Sequence, residues 1–130
     1  MPALLDTSVI IDLDDEAVGN ALPNEAGISA ISLAELAVGP LFATNPVEAA
    51  RRQFRLQQIE ATFFPLPFDA SAARAYAQVV AATQEVGRTH RRRVADFMIA
   101  AVALANRLEL YTRNIDDFEG LDELLTVVHI

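Results

Sequence analysis

Ala3-Leu4-Leu5-Asp6-Thr7-Ser8-Val9-Ile10-Ile11 begins with a short apolar run, stops at a carboxylate, and resumes as a second apolar run. The first run is too short for a helix and carries no polar residue, so it reads as a buried strand. The second reads as the start of a helix. A strand apolar on both faces belongs inside a parallel sheet, where helices cover each side. Asp6 then stands at the carboxyl end of that strand, the edge of such a sheet at which ligands bind.

Working outward, the chain alternates in the same way. Pro23-Asn24-Glu25-Ala26-Gly27 is a turn, and residues 28–31 read as a second short strand. Ser32-Leu33-Ala34-Glu35 fits a capping box, with Ser32 as N-cap and Glu35 three residues on, and Gly39-Pro40 kinks or ends the helix it opens. Asn45-Pro46-Val47-Glu48 starts another helix, with proline at its first position, running through Arg51, Phe54 and Ile59. Residues 63–68 are apolar but hold two prolines, which makes them an edge strand at best. Asp69 caps a long helix on which Ala73, Tyr76, Ala77, Val80 and Ala81 share a face, and Gly87 suits its C-terminal stop. That stripe is core or dimer interface rather than a cofactor box. Asp96 opens an apolar helix over residues 97–106. Residues 108–112 form a strand, 114–120 a polar turn or short helix, and 125–130 a last strand. The expected architecture is α/β: one domain spanning residues 1–130, with a central parallel sheet and helices on both faces.

Composition supports one globular domain: 130 residues, 52% hydrophobic and 22% charged. Cysteine is absent, which excludes disulfide frameworks, zinc-thiolate sites and thiol nucleophiles. The amino terminus lacks a basic segment before its apolar run, and no uncharged run approaches the ~18 residues that span a bilayer. A soluble, cytoplasmic protein without membrane attachment is expected. The formal net charge of −8 argues against simple electrostatic capture of nucleic acid. All ten basic residues are arginine, and four of them cluster in Arg88-Thr89-His90-Arg91-Arg92-Arg93. That run is either a solvated turn or, lying just before Asp96, a patch that steers phosphates. His90 and His129 have no spacing that suggests a metal site or a general base.

Asp6, Glu35, Asp96 and the Asn114–Asp117 turn all fall at strand ends or helix starts, so the topology lets them gather at one end of the sheet. Carboxylates within ~4–6 Å of one another repel and oppose folding unless a cation offsets their charge. Hard oxygen donors select Mg²⁺ or Mn²⁺, and such ions activate water and stabilise charge during phosphodiester hydrolysis. Each residue also has a local explanation. Asp6 can cap a turn, Glu35 can complete a capping box, Asp96 can face a helix dipole, and Asp116 and Asp117 suit an ordinary turn.

The order of the motifs carries a further signal. Leu4-Leu5-Asp6-Thr7-Ser8-Val9-Ile10, Ile31-Ser32-Leu33-Ala34-Glu35-Leu36, Arg93-Val94-Ala95-Asp96-Phe97-Met98-Ile99-Ala100-Ala101 and Thr112-Arg113-Asn114-Ile115-Asp116-Asp117-Phe118 resemble, in sequence, the four motifs of PIN domains. The resemblance extends over residues 4–118, with the length and spacing of the VapC toxins of bacterial toxin–antitoxin pairs. It implies a Mg²⁺-dependent endoribonuclease, a homodimer, and inhibition by a cognate VapB-type antitoxin. By motif, Asp6 and Asp96 would bind metal directly, and Glu35 would bind it or orient the attacking water. The fourth acidic position is contested by Asn114, Asp116 and Asp117, with Asp116 favoured. Thr7 and Ser8 would fix Asp6. Arg88, Arg91, Arg92 and Arg93 would hold RNA, and Arg113 would brace the fourth-motif turn.

Other functions fit less well. A phospho-receiver domain needs a lysine beside its acidic pocket, and this chain has none. A DNA nuclease of this chemistry usually carries additional arches or helices, for which 130 residues leave little room. A catalytically weak PIN fold acting as an RNA-binding module is the alternative, favoured by Asn114 and opposed by Asp6, Glu35 and Asp96.

Overall fold

Strand β1 (Ala3–Leu5) is buried along its whole length. Leu4 packs into the apolar cluster on one side of the sheet and Leu5 into the cluster on the other, so the strand is central. The computed structural model, which describes residues 2–87 and 92–130, surrounds β1 with the layers that such a strand demands. After Asp6 come two short helices, α1 (Thr7–Ile10) and α2 (Glu16–Ala21), then strand β2 (Ala26–Gly27) and helix α3 (Ala30–Val38). A 3₁₀ turn over Gly39–Phe42 leads to α4 (Pro46–Thr62), followed by α5 (Ala70–Glu85) and α6 (Val94–Ala105). Strand β3 (Glu109–Thr112), a 3₁₀ turn over Ile115–Phe118 and strand β4 (Val127–His129) complete the chain.

The sheet order is β2-β1-β3-β4, and every pairing is parallel. From β1 the chain first adds a strand on one side and later two on the other. The carboxyl ends of β1 and β3 therefore flank the point where strand order reverses, the crevice in which open α/β sheets bind ligands. Helices α5 and α6 pack on the Leu4 and Leu110 side, α6 with Phe97, Ile99, Ala100, Ala101, Val102 and Ala103 all buried. The opposite side is filled by Val9, Ile10, Ile28, Leu36, Leu56 and Ile59.

Two helix starts follow the sequence reading directly. Asn45 accepts from the Glu48 amide at 2.8 Å, and Asp69 from the Ala72 amide at 3.0 Å. Gly87 takes φ +77° just beyond α5, a left-handed stop that glycine adopts without strain. Among the described residues, no helix is long and apolar enough to cross a membrane.

Other boundaries differ. The strand expected over residues 28–31 lies earlier, at Ala26–Gly27, because helix α3 already begins at Ala30. Its N-cap is Ser29, which accepts from the Ser32 amide at 3.1 Å; Ser32 is therefore inside the helix and not its cap. Residues 63–68 form no strand, only an isolated parallel bridge from Leu66 to Ser29. Helix α6 starts at Val94, two residues before Asp96. The buried face of α5 is Ala72, Ala75, Val79 and Thr83, while Tyr76 and Val80 are half-buried and Ala73, Ala77 and Ala81 are exposed. Small alanines carry a weak periodic signal, which placed the stripe one residue off.

Candidate active site

Asp6 ends β1 with its amide donating to the Tyr111 carbonyl of β3 at 2.9 Å, which seats it at the strand reversal. It is only 4% exposed, so its carboxylate must find donors within the protein. Two hydroxyls supply them. Ser8 Oγ donates to Asp6 Oδ2 at 2.7 Å and Thr112 Oγ1 donates to the same oxygen at 2.9 Å. Each hydroxyl is itself aimed from behind: the Arg113 amide donates to Ser8 Oγ and the Asn114 amide to Thr112 Oγ1, both at 3.0 Å. A hydroxyl has one proton, so with both protons committed to Asp6 the 3.3 Å approach of Ser8 and Thr112 is a contact between acceptors.

Glu35 is held by a second chain of hydroxyls. Thr7 Oγ1 donates to Glu35 Oε1 at 2.7 Å. Having spent its proton there, Thr7 must accept from Ser32 Oγ, 2.8 Å away. With Ser29 capping α3, Glu35 is released from the capping box, and its side chain meets Thr7 at the start of α1 instead. Thr7 thus serves Glu35 while Ser8, with Thr112, serves Asp6, a division that the sequence reading did not make. Thr112 had no role in that reading either; its signal was its place at the end of the strand beside β1.

Asp96 lies in the first turn of α6 and is half-buried. Its carboxyl is pushed up from 3.8 to about 6, first by burial and then by the charges of Asp6, Asp117 and Glu35, with Arg93 pulling the other way. Asp6, Glu35, Asp96 and Asp117 therefore share one electrostatic environment. The fourth-motif turn separates its candidates. Asp117 is half-buried, reached by Arg93 and among the charges that shift Asp96, whereas Asp116 and Asn114 are exposed. Asn114 contributes its backbone amide to the support of Thr112.

The arginines divide as well. Arg93 Nη1 hydrogen-bonds Asp117 Oδ1 and stands 3.9 Å from Asp96 Oδ2, facing the acids rather than solvent. Arg92 is exposed, and Arg88 and Arg91 lie outside the described residues. Arg113 pairs with Asp12 at 3.0 Å, which braces the turn after β3 against the link between α1 and α2. His129 Nε2 lies 3.2 Å from the Arg113 carbonyl.

A PIN domain model matches residues 3–124. The chain belongs to the PIN-domain family. It is 37% identical over 129 residues to Ribonuclease VapC5 of Mycobacterium tuberculosis, a match that covers 95% of this chain and 90% of that protein. The crystal structure of VapBC-5, a member of the VapBC family of toxin–antitoxin systems from Mycobacterium tuberculosis, superposes with a TM-score of 0.84 at 35% identity, covering 99% of this chain and 98% of the other. FitAcB from Neisseria gonorrhoeae superposes with a TM-score of 0.79 at 31% identity, over 97% and 96% of the two chains.

Whether this PIN domain suits a divalent cation is a question for its donors. Asp6, Glu35, Asp96 and Asp117 offer hard carboxylate oxygens, and the Asp96 carboxyl is raised first by burial and then by the charges of the other three, which Arg93 offsets only in part. Among the described residues, no three acidic or histidine side chains stand close enough to grip an ion as they are. Arg93 is the cation in contact with two of them. Their hard oxygen chemistry suits a divalent cation.

Proposed function

We propose that this PIN domain is a Mg²⁺-dependent endoribonuclease, Mn²⁺ serving in its place, and the toxin component of a type II toxin–antitoxin pair. The observation that carries the reading is the shared electrostatic environment of Asp6, Glu35, Asp96 and Asp117 at the strand reversal, in a chain whose full-length relative is named a ribonuclease. Asp6 and Asp96 would hold the ion directly. Asp117 takes the fourth position in preference to Asp116, because it faces the other acids from the half-buried side of its turn. When bound, the ion supplies a Lewis acid and a water of lowered pKa.

The chain's own groups do the rest. Ser8 and Thr112 fix one oxygen of Asp6, and Thr7, backed by Ser32, fixes one oxygen of Glu35. Glu35 orients the attacking water and takes its proton. The water oxygen bonds to phosphorus as the bond to the 3′ oxygen breaks, and that oxygen takes up a proton from solvent. The products are 5′-phosphate and 3′-hydroxyl ends.

A cognate VapB-type antitoxin and a second copy of the chain are the partners in this reading, and the cytoplasm is its setting. Leu41, Phe42, Val47 and Phe54 support the presence of partners, since all four are more than half exposed on the Gly39–Phe42 turn and the adjoining α4.

Incubation of the purified protein with a mixed pool of RNA tests the function. Cleavage is expected with Mg²⁺ or Mn²⁺, and loss of cleavage with chelator, Asp6→Ala or Asp96→Asn. Asp117→Asn should cost more than about tenfold in rate and Asp116→Asn much less. Cleavage that persists through chelator and both Asp6 and Asp96 variants would refute the reading.

A further inference from the structure

The acidic set contains a cation of its own. Arg93 is the residue just before α6, and its side chain makes no capping bond to that helix. Its guanidinium instead hydrogen-bonds Asp117 Oδ1 and stands 3.9 Å from Asp96 Oδ2, with all three side chains about one-third exposed or less. Two other arginines are committed elsewhere: Arg113 to Asp12, and Arg52 to Glu48 and the Gly39 carbonyl. Among the described residues, Arg93 is the positive charge that acts on Asp96. A carboxylate oxygen that accepts a hydrogen bond from a guanidinium has a lone pair occupied and its charge partly neutralised. Both effects oppose coordination of a metal by the same group.

We propose that Arg93 is the resident counter-ion of this carboxylate set, bridging Asp117 and Asp96 in the metal-free protein and competing with the divalent cation for them. This rests on the metal-dependent reading above. Arg93 is then a positioning residue. It keeps the acids together against their mutual repulsion, and it raises the cation concentration needed to load the site. Its arginine chemistry matters, since a planar fork can span two carboxylates whereas an ammonium is a single point of charge.

The test uses metal-stripped full-length protein, Mn²⁺ titration calorimetry and thermal melts on the wild type, Arg93→Gln and Arg93→Lys. For Arg93→Gln, we expect Mn²⁺ to bind about three- to tenfold tighter than in the wild type. The same variant should melt at a lower temperature without metal, and saturating Mn²⁺ should narrow that gap. Arg93→Lys, which keeps the charge, should fall between the two in affinity. A purely structural arginine would give the loss of melting temperature without the gain in affinity. A folded Arg93→Gln that binds Mn²⁺ no tighter than the wild type overturns the inference and leaves the ribonuclease reading standing. A wild type that binds no Mn²⁺ overturns both. Should Arg93→Gln fail to fold, the wild type decides. Its Arg93 Nε–Hε resonance should shift as Mg²⁺ fills the site, and a resonance unmoved at saturation overturns the inference.

Discussion

Asp96 carries the strain of the site, and its titration follows from that position. Burial and the charges of Asp6, Asp117 and Glu35 push its carboxyl up to about 6, so the folded state prefers the protonated form relative to the unfolded chain. Between about pH 4 and pH 6 the folded protein holds the extra proton, and the stability owed to this group declines as pH rises through that window. Asp96→Asn should therefore melt higher than the wild type at pH 7.5 without metal, by on the order of 1 kcal/mol, with the difference closing as pH falls toward 4. Thermal melts of the two proteins across that range check it. Asp6 and Asp96 stand out in the sequence because one follows a strand and the other lies in the first turn of a helix, whereas Glu35, in the middle of α3, stands out only through the motif around it. Local pattern does not distinguish Asp116 from Asp117, since a 3₁₀ turn decides how these consecutive side chains are aimed. Thr112 was missed because its hydrogen bond to Asp6 joins residues 106 positions apart, through a strand pairing that local pattern cannot register.

At the scale of elements, the helices that open after Asn45 and Asp69 were read accurately, and short strands less so. Asn45 and Asp69 are each followed by a long helix, whose start their side chains fix. Before α3, by contrast, Ser29 and Ser32 are three residues apart and both suit a cap; the bridge from Ser29 to Leu66 favours the earlier one, a tertiary contact beyond local reading. The turn that carries Asp117 depends on Gly120, which has φ +94° and lies against the end of α5. A Cβ there would stand 2.8 Å from Val86 Cγ2, in a backbone conformation that alanine disfavours. Gly120→Ala should cost about 1–3 kcal/mol of stability. It should also weaken Mn²⁺ binding by displacing Asp117, so calorimetry and urea denaturation would both register it.

The whole molecule is an acidic body, with net charge −8, that concentrates several carboxylates at the reversal point of a parallel sheet. The fold was legible because β1 is apolar on both faces and helices alternate with strands, which leaves few other arrangements. Its sheet edges and the exact face of α5 were not, because two-residue strands and alanine-rich helices carry little periodic signal. What unifies the molecule is the expectation that Asp6, Asp96 and Asp117 converge on a divalent cation. Anomalous diffraction from crystals grown with Mn²⁺ measures this directly. We expect a peak within about 2.0–2.4 Å of carboxylate oxygens from Asp6 and Asp96, with Asp117 turned toward it and Arg93 withdrawn. Mn²⁺ found only elsewhere on the protein, with Arg93 still bridging Asp117 and Asp96, would contradict it.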